Sequence, residues 1–234
     1  MKRPGNEVLH LFLLLTGRAT LDSDEKATSL FRWSAKKGRV RFLELFFEEG
    51  GLDLNGEAGT TALMLAAEEG HAKIINRLLS TGMRFFDRKD KHGRTPFFAA
   101  VSRGHTEVAR ILFASGKADV ESKDTYGRTP LAIAALSGKV ESVAFLLDHG
   151  SLHVNDKDNK GRTPLSLAVG SHVDVVAAIH LAGGDPNSSD TGGRTPLSWA
   201  AEKGDFDTSK YLIEECGVDK YSRDVHGRDP LDYA

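Results

Sequence analysis

The stretch DKHGRTPFFAA at residues 90–100 decides the fold, because the chain repeats it almost unchanged. Copies are DTYGRTPLAIAA at 124–135, DNKGRTPLSLA at 158–168, DTGGRTPLSWAA at 190–201 and DVHGRDPLDYA at 224–234, with a looser copy, GTTALMLAA, at 59–67. The motif glycines Gly59, Gly93, Gly127, Gly161, Gly193 and Gly227 are 34 residues apart, except for 32 between Gly161 and Gly193. A period of this length indicates a stack of similar units, none of which is large enough to fold alone.

The residues of the motif predict a turn followed by a short helix. In GRTPL the glycine can adopt positive φ, the threonine hydroxyl can cap a helix, and proline suits the first helical position. The alanine-rich helix ends at a second glycine, such as Gly138 in TPLAIAALSG. A second helix follows, for which Val140, Val143, Ala144 and Leu147 form the predicted apolar stripe. Each unit is therefore expected to be hairpin, helix, tight turn and helix.

The combined pattern G-x-T-P-L-x-x-A-A-x-x-G-H-x-x-V-x-x-L-L-x-x-G resembles the ankyrin repeat. The glycine–histidine pair is present in GHAKI at 70–74 and GHTEV at 104–108. This resemblance implies an all-α solenoid of stacked helix–turn–helix units with short β-hairpin or turn loops. The residues SGKADVES at 115–122 and the recurring GRTPLS are similar to the multi-repeat arrays of fungal proteins.

The phase of the motif divides the chain into repeats that together form one solenoid domain. We predict a partial repeat that contributes only a second helix (1–23), a degenerate repeat 1 (24–55), repeats 2 to 6 (56–89, 90–123, 124–157, 158–189 and 190–223), and a truncated repeat 7 (224–234). The basic and apolar start MKRPGNEVLHLFLLLTG also resembles a secretory signal, but Glu7, His10 and Arg18 argue against that alternative. Because the phase begins and ends inside a repeat, we expect a piece of a longer array or missing flanking sequence.

Two positions depart from the expected packing. In repeat 5 the turn VGSHVDVV is one residue short, and His180 falls where the resemblance implies a core leucine. Repeat 5 is therefore the predicted weakest joint, and His180→Leu is expected to stabilise the protein if the site is buried.

Trp33 and Trp199 share the phase of Leu65 in the first helix, so we expect both to pack in the core.

Composition excludes several classes of function. Lysine and arginine number 31 against 33 acidic residues, a net charge of −2, so no global basic field is available for nucleic acid or a membrane surface. No apolar run is long enough to predict a membrane span. The single cysteine, Cys216, fits a reducing compartment, so we expect an intracellular, cytoplasmic protein.

No group of residues suggests catalysis. Of the nine histidines, His71 and His105 follow turn glycines and are expected to be structural. Motifs for zinc hydrolysis, phosphate binding and nucleophilic serine are not found in the sequence. Acidic neighbours in EECGVD disfavour a reactive thiolate at Cys216. We therefore expect no enzyme activity, no cofactor, no metal and no small-molecule substrate.

Arginine follows the motif glycine in each of the five close copies and aspartate stands four residues before that arginine. The pairs are Asp90 and Arg94, Asp124 and Arg128, Asp158 and Arg162, Asp190 and Arg194, and Asp224 and Arg228. One interpretation is an Asp–Arg ladder that ties adjacent hairpins together. The alternative is a row of guanidinium groups that binds an acidic or phosphorylated segment of a partner.

The resemblance implies recognition of another protein on the concave face formed by hairpin tips and first helices. The candidate contact residues are Lys91, His92, Arg94, Ser102, Arg103, Thr125, Tyr126, Arg128, Leu136, Asn159, Lys160, Arg162, Thr191, Arg194, Glu202 and Lys203, with Tyr126 as the best single anchor. We expect a monomeric, non-catalytic interaction scaffold that binds neither nucleic acid nor membrane. Two alternatives stay open: the sensing or targeting region of a longer signalling protein or enzyme, and a purely structural spacer.

Overall fold

The computed structural model of the chain describes residues 24–49, 57–82, 86–149, 153–170 and 172–234. The predicted partial repeat at 1–23 lies outside the described residues. Twelve α-helices occur within the described ranges, followed by a 3-10 helix at Pro230–Tyr233. In chain order they are α1 Asp24–Lys36, α2 Val40–Glu49, α3 Glu57–Glu68, α4 Ala72–Leu79, α5 Pro96–Arg103, α6 Thr106–Ala114, α7 Pro130–Leu136, α8 Val140–Asp148, α9 Pro164–Ala168, α10 Val173–Leu181, α11 Pro196–Glu202 and α12 Phe206–Glu214.

The helices form two stacked layers. Within each repeat the first helix packs on the second, for example α5 on α6. Each first helix also packs on the first helix of the next repeat, as α1 does on α3, and second helices contact each other in the same way. Apolar side chains between the two layers form one continuous core. This arrangement confirms the predicted all-α solenoid, and no helix among the described residues has the length and apolarity to cross a membrane.

The motif GRTP forms the local structure that its residues predict. The hydroxyl oxygen of Thr129 caps α7 by accepting a hydrogen bond from Ala132 N at 3.2 Å, and Pro130 occupies the first helical turn. Thr95, Thr163 and Thr195 cap α5, α9 and α11 in the same way. Gly104 ends α5 with φ of 78°, which confirms the left-handed termination predicted from the second glycine.

The loops between repeats are turns, and no β-strand is formed in the parts of the chain that the structure describes. In the looser copy, Gly59 lies inside α3, so the turn predicted at this glycine was wrong. The other copies have proline two residues after the motif arginine, whereas the corresponding residue here is Ala62. Alanine does not prevent the helix from continuing towards its N-terminus, and α3 begins at Glu57.

The apolar stripe predicted for α8 was only partly correct, because Val143 is buried and Leu147 is half-buried against the core. Val140 is 48% exposed and Ala144 is exposed, whereas the buried face includes Ser142, Val143 and Phe145. The pattern of apolar residues missed this face because Ser142 is polar. Its hydroxyl lies 3.0 Å from the hydroxyl of Thr106, and this pairing satisfies both groups inside the core.

Repeat 5 has a shortened first helix. Helix α9 contains five residues, against seven in α7, and Gly170 follows with φ of 80°. Side chains of repeat 6 bind the backbone that this shortening exposes. Lys203 Nζ donates to Val169 O at 2.5 Å, and Asp205 Oδ2 accepts from Gly170 N at 2.7 Å. At the helix–helix turn, the joint between repeats 5 and 6 therefore uses two side chains in place of the missing helical turn.

His180 is half-buried and does not occupy a fully apolar site. Its Nδ1 atom lies 3.1 Å from the hydroxyl of Tyr211 and 3.4 Å from Sγ of Cys216. The Tyr211 ring also meets the imidazole edge-on, with centroids 6.0 Å apart. The position that the resemblance assigned to a core leucine is therefore a polar contact between repeats 5 and 6.

Candidate functional site

The five close copies of the motif place five turns side by side, and these are called the tip turns. They begin at Asp90, Asp124, Asp158, Asp190 and Asp224. Each is linked to the next by one backbone hydrogen bond: Thr125 N to His92 O, Asn159 N to Tyr126 O, Thr191 N to Lys160 O, and Val225 N to Gly192 O, all 2.9 to 3.0 Å long. The tip turns therefore form a continuous row along one edge of the solenoid.

The predicted tip residues are all exposed on this row: Lys91, His92, Thr125, Tyr126, Asn159, Lys160 and Thr191. Two of them also hold the row together. Asn159 Nδ2 donates to Thr125 O, and the Thr191 hydroxyl donates to Lys160 O, both at 3.1 Å. Close packing makes glycine necessary here, because φ of Gly127 is 76° and a Cβ would lie 2.9 Å from the backbone N of Asn159.

The aspartates and arginines of the tip turns pair within one turn. Asp124 Oδ1 accepts from the backbone N–H groups of Tyr126 and Arg128, each at 2.9 Å, and Oδ2 accepts from Arg128 Nε and Nη2 at 2.8 and 2.6 Å. The predicted ladder between adjacent hairpins was therefore wrong in this respect. An aspartate side chain is short, and the backbone N–H groups of its own turn are the nearest donors.

The same pairing recurs at Asp90, Asp158 and Asp224. Burial raises the pKa of Asp90, but hydrogen bonds from Arg94 and from the backbone of His92 outweigh it and lower the pKa overall. Arg94 also reaches Glu68 of the preceding repeat, with Nη2 2.7 Å from Oε1. These guanidinium groups are thus largely neutralised by protein carboxylates.

Repeat 6 departs from this arrangement. Trp199 Nε1 donates to Asp190 Oδ2 at 3.2 Å, and Arg194 instead binds Glu202 with Nη2 2.7 Å from Oε2. The Arg194 guanidinium lies 3.6 Å from the centre of the Trp199 ring and 4.2 Å from that of Tyr233. Trp199 is therefore half-buried beside the tip row, and its assignment as simple core packing was incomplete. The tryptophan in PLSWAA is the sequence feature behind this difference, because the other GRTP repeats have Ala99, Ile133 or Leu167 at this position.

Tyr233 fixes the last tip turn as well. Its hydroxyl donates to Asp224 Oδ2 at 2.5 Å, and Arg228 binds the same oxygen from Nε and Nη2. Burial raises the pKa of Asp224, but the hydrogen bonds from Tyr233 and Arg228 hold that pKa well below its ordinary value. The motif does not single out Tyr233, because no earlier repeat has tyrosine at the corresponding position.

The remaining predicted residues lie near the ends of the first helices. Arg103, Glu202 and Lys203 are exposed, while Ser102 and Leu136 are half-buried. Lys203 is held by Val169 O and Glu202 by Arg194, as described above. The side chains of Lys91, Arg103 and Lys160 form no ion pair with another described residue. The middle of the row therefore carries positive charge on both sides of Tyr126, whose side chain lies beneath the Arg128 guanidinium at 4.7 Å.

Cys216 lacks the surroundings of a reactive thiol. Burial raises the pKa of this thiol, the hydrogen bond with Tyr211 lowers it, and the charge of Glu215 raises it further. The acidic neighbours therefore act in the predicted direction, although burial is the larger cause. Within the described part of the chain, no three histidine, cysteine, aspartate or glutamate residues are grouped as metal ligands would be.

Comparison with protein families supports the fold independently. A family model described as ankyrin repeats, in three copies, matches residues 4–89, 31–124, 114–187 and 170–234. The chain belongs to the ankyrin-repeat family. Ankyrin repeats are in general protein–protein interaction modules, and the matches cover nearly the whole chain. No match was found among curated proteins, and the similarity to fungal arrays stays a prediction.

Proposed function

We propose that the protein is a non-catalytic, monomeric interaction scaffold whose tip turns and first helices bind an acidic segment of a partner protein. The observation that carries this proposal is a set of exposed, unpaired cations: two lysines at the middle of the tip row and one arginine at the C-terminal end of α5. Lys91, Arg103 and Lys160 are exposed, and none of them forms an ion pair with another described residue. Complementary charge at such a surface favours both association and correct orientation of the partner.

Tyr126 supplies the anchor between these charges. It is 62% exposed and stands in repeat 4, between the lysines of repeats 3 and 5. Since stacked helices are about 10 Å apart, the two lysines are separated by about 20 Å. An extended segment of about six residues spans this distance. We therefore expect carboxylates at both ends of the bound segment and an apolar or aromatic residue opposite Tyr126.

Carboxylate-rich segments fit this surface better than phosphorylated ones. Phosphate is bound most specifically by arginine, whose guanidinium offers two parallel donors. Arg94, Arg128 and Arg162 already use theirs on the aspartates of their own turns. The remaining exposed cations are two lysines at the middle of the row and Arg103 at the C-terminal end of α5, which suit the more distributed charge of an acidic segment.

Reversal of these charges tests the proposal. Wild-type protein and the variant Lys91→Glu/Arg103→Glu/Lys160→Glu are used to capture partners from the native source, and the recovered proteins are quantified. A matched control, Lys73→Glu/Lys210→Glu/Lys220→Glu, makes the same change in charge at exposed lysines elsewhere. The proposal predicts loss of an acidic partner with the first variant only. Equal capture by both variants, or equal loss, would contradict it.

A further inference from the structure

Four cationic side chains lie within six residues at the helix–helix turn of repeat 1, and no acidic residue interrupts them. Lys36 ends α1, Lys37 and Arg39 lie in the turn, and Arg41 is in the first turn of α2. All four are exposed, and they are called the basic turn. The basic turn is distinct from the tip row, because it joins the two helices of one repeat whereas the tip turns lie between successive repeats.

The backbone of the basic turn is fixed by contacts on both sides. Arg39 N donates to Ser34 O at 2.9 Å, and Gly38 adopts φ of 65°. The His71 ring of repeat 2 lies against Gly38, with Nε2 2.9 Å from Lys36 O. The four cationic side chains are therefore attached to a turn whose backbone needs no further ordering when a ligand binds.

The charges of the basic turn are almost uncompensated. Lys36, Lys37 and Arg39 form no ion pair with another described residue. Arg41 has one carboxylate in range, with Nη1 3.8 Å from Glu44 Oε2, and 95% of its side chain is exposed. An exposed pair at this distance contributes little, because water and salt screen it. Four like charges therefore repel each other at this turn.

The position of Arg41 adds to this unfavourable charge. It is the second residue of α2, at the positive end of the helix dipole, and the first turn of α2 has no acidic residue. In repeats 3 to 6 the second residue of the second helix is acidic in every case: Glu107, Glu141, Asp174 and Asp207. The charge of repeat 1 therefore opposes its local stability, which is typical of a functional site.

The positive surface is about one repeat wide. Lys73 stands in repeat 2 at the position of Arg41, but the turn of repeat 2 also carries exposed Glu69, and the acidic series begins in repeat 3. Since stacked helices are about 10 Å apart, a membrane or a long nucleic acid that follows the stack would also lie over these carboxylates. A phosphorylated side chain instead places about two negative charges in a single group. An anion of this size matches the basic turn.

We propose that the basic turn binds a phosphorylated segment of a partner protein. The guanidinium groups of Arg39 and Arg41 donate paired N–H groups to the phosphate oxygens, and Lys36 and Lys37 add charge from the same turn. The tip row lacks this chemistry, because its arginines are engaged by aspartates of their own turns. The basic turn shares no residue with the tip-row proposal, so each proposal stands or fails without the other.

Fluorescence anisotropy with a labelled peptide tests the proposal. The probe is a glycine–serine peptide that carries two neighbouring phosphoserines, and its unphosphorylated form is the control probe. At physiological ionic strength we expect saturable binding of the phosphorylated form only. Arg39→Gln/Arg41→Gln is expected to bind it about tenfold more weakly, because both guanidinium groups are lost.

Two control variants locate the binding site. Lys210→Gln/Lys220→Gln removes the same charge from exposed lysines of repeat 6, and Lys91→Glu/Lys160→Glu changes only the tip row. Both should bind the phosphopeptide within about twofold of wild type, because charges farther away than the screening length of about 8 Å have little effect.

Thermal stability separates a binding role from a structural one. Because the charges of the basic turn repel each other and oppose the helix dipole, Arg39→Gln/Arg41→Gln should melt at the temperature of wild type or above it, as followed by circular dichroism. Arg39→Lys/Arg41→Lys keeps the charge but removes the paired donors, so it should bind the phosphopeptide several-fold more weakly than wild type.

Several results would overturn the proposal. They are the lack of saturable binding of the phosphopeptide by wild type, equal binding of the unphosphorylated peptide, and undiminished binding by Arg39→Gln/Arg41→Gln or by Arg39→Lys/Arg41→Lys. A lower melting temperature of Arg39→Gln/Arg41→Gln together with weaker binding would assign the two arginines a structural role instead. Tighter binding of oligothymidylate or of phosphatidylserine vesicles than of the phosphopeptide would favour a nucleic acid or a membrane.

Discussion

The pairing of Asp124 with Arg128 predicts a large energetic coupling between their side chains. Asp124 has a side chain that is 1% exposed and Arg128 one that is 20% exposed, with Nη2 2.6 Å from Oδ2. Asp124→Ala leaves the guanidinium without its carboxylate and frees two backbone N–H groups that Oδ1 had bound. Breaking a buried ion pair of this kind costs about 3 kcal/mol or more in the free energy of unfolding. A double-mutant cycle with Arg128→Ala measures the coupling energy between the two side chains, which we expect to be about 2 kcal/mol.

The tip turn of repeat 6 provides the matched control. Asp190 binds Trp199 and Arg194 binds Glu202, so the same two positions do not bond through their side chains. A cycle of Asp190→Ala and Arg194→Ala is therefore expected to give a clearly smaller coupling than the cycle in repeat 4, because these two side chains are connected only through their shared contacts with Trp199. Both cycles are measured by urea denaturation at neutral pH. Equal coupling energies in the two turns would refute the pairing described here.

Three further predictions concern the C-terminal half of the chain. Because the folded pKa of Asp224 is depressed, its contribution to stability is present above its ordinary pKa of about 4 and is lost as the pH falls towards the folded value. Asp224→Asn should therefore flatten the decline of the melting temperature below pH of about 4, and an unchanged decline would contradict this. Lys203→Ala should lower stability by about 1 to 2 kcal/mol, because it leaves the buried carbonyl of Val169 without its partner. Asp205→Ala should lower it by about as much, because it removes the N-cap of α12 together with the bond to Gly170 N. Lys210→Ala should have little effect in the same urea titration. His180→Leu should fail to raise the melting temperature, because it removes the contact with the Tyr211 hydroxyl; a rise of several degrees would restore the buried-core interpretation.

The sequence predicted the parts of the fold that are set by local backbone chemistry. Threonine caps, proline at the first helical turn and glycine at positive φ were all readable from GRTPL, because each depends only on neighbouring residues. The stripe of α8 was not readable, since its buried face includes Ser142, whose polar group is satisfied only by Thr106 of another repeat. Contacts across repeats thus decided which residues of the second helices are buried.

The candidate site shows the same division. The tip positions were predicted as exposed because they vary between copies, and Lys91, Tyr126 and Lys160 are exposed. The partner of each arginine could not be predicted, because a spacing of four residues permits an arginine to pair with the aspartate of its own turn or with one of a neighbouring turn. In repeat 6, Arg194 binds Glu202 because Trp199 donates to the carboxylate of Asp190. The spacing of the motif does not predict this change of partners.

Site-specific photo-crosslinking tests the central claim, that the tip row is the surface that binds a partner. A photoreactive phenylalanine analogue is placed at Tyr126, which is 62% exposed on the tip row, and in a separate sample at Tyr221, which is 70% exposed and lies outside the tip turns. After irradiation in extract of the native source, the account predicts a crosslink to an acidic segment of one partner from position 126 and none from position 221. The reverse pattern, or the same crosslinks from both positions, would contradict it.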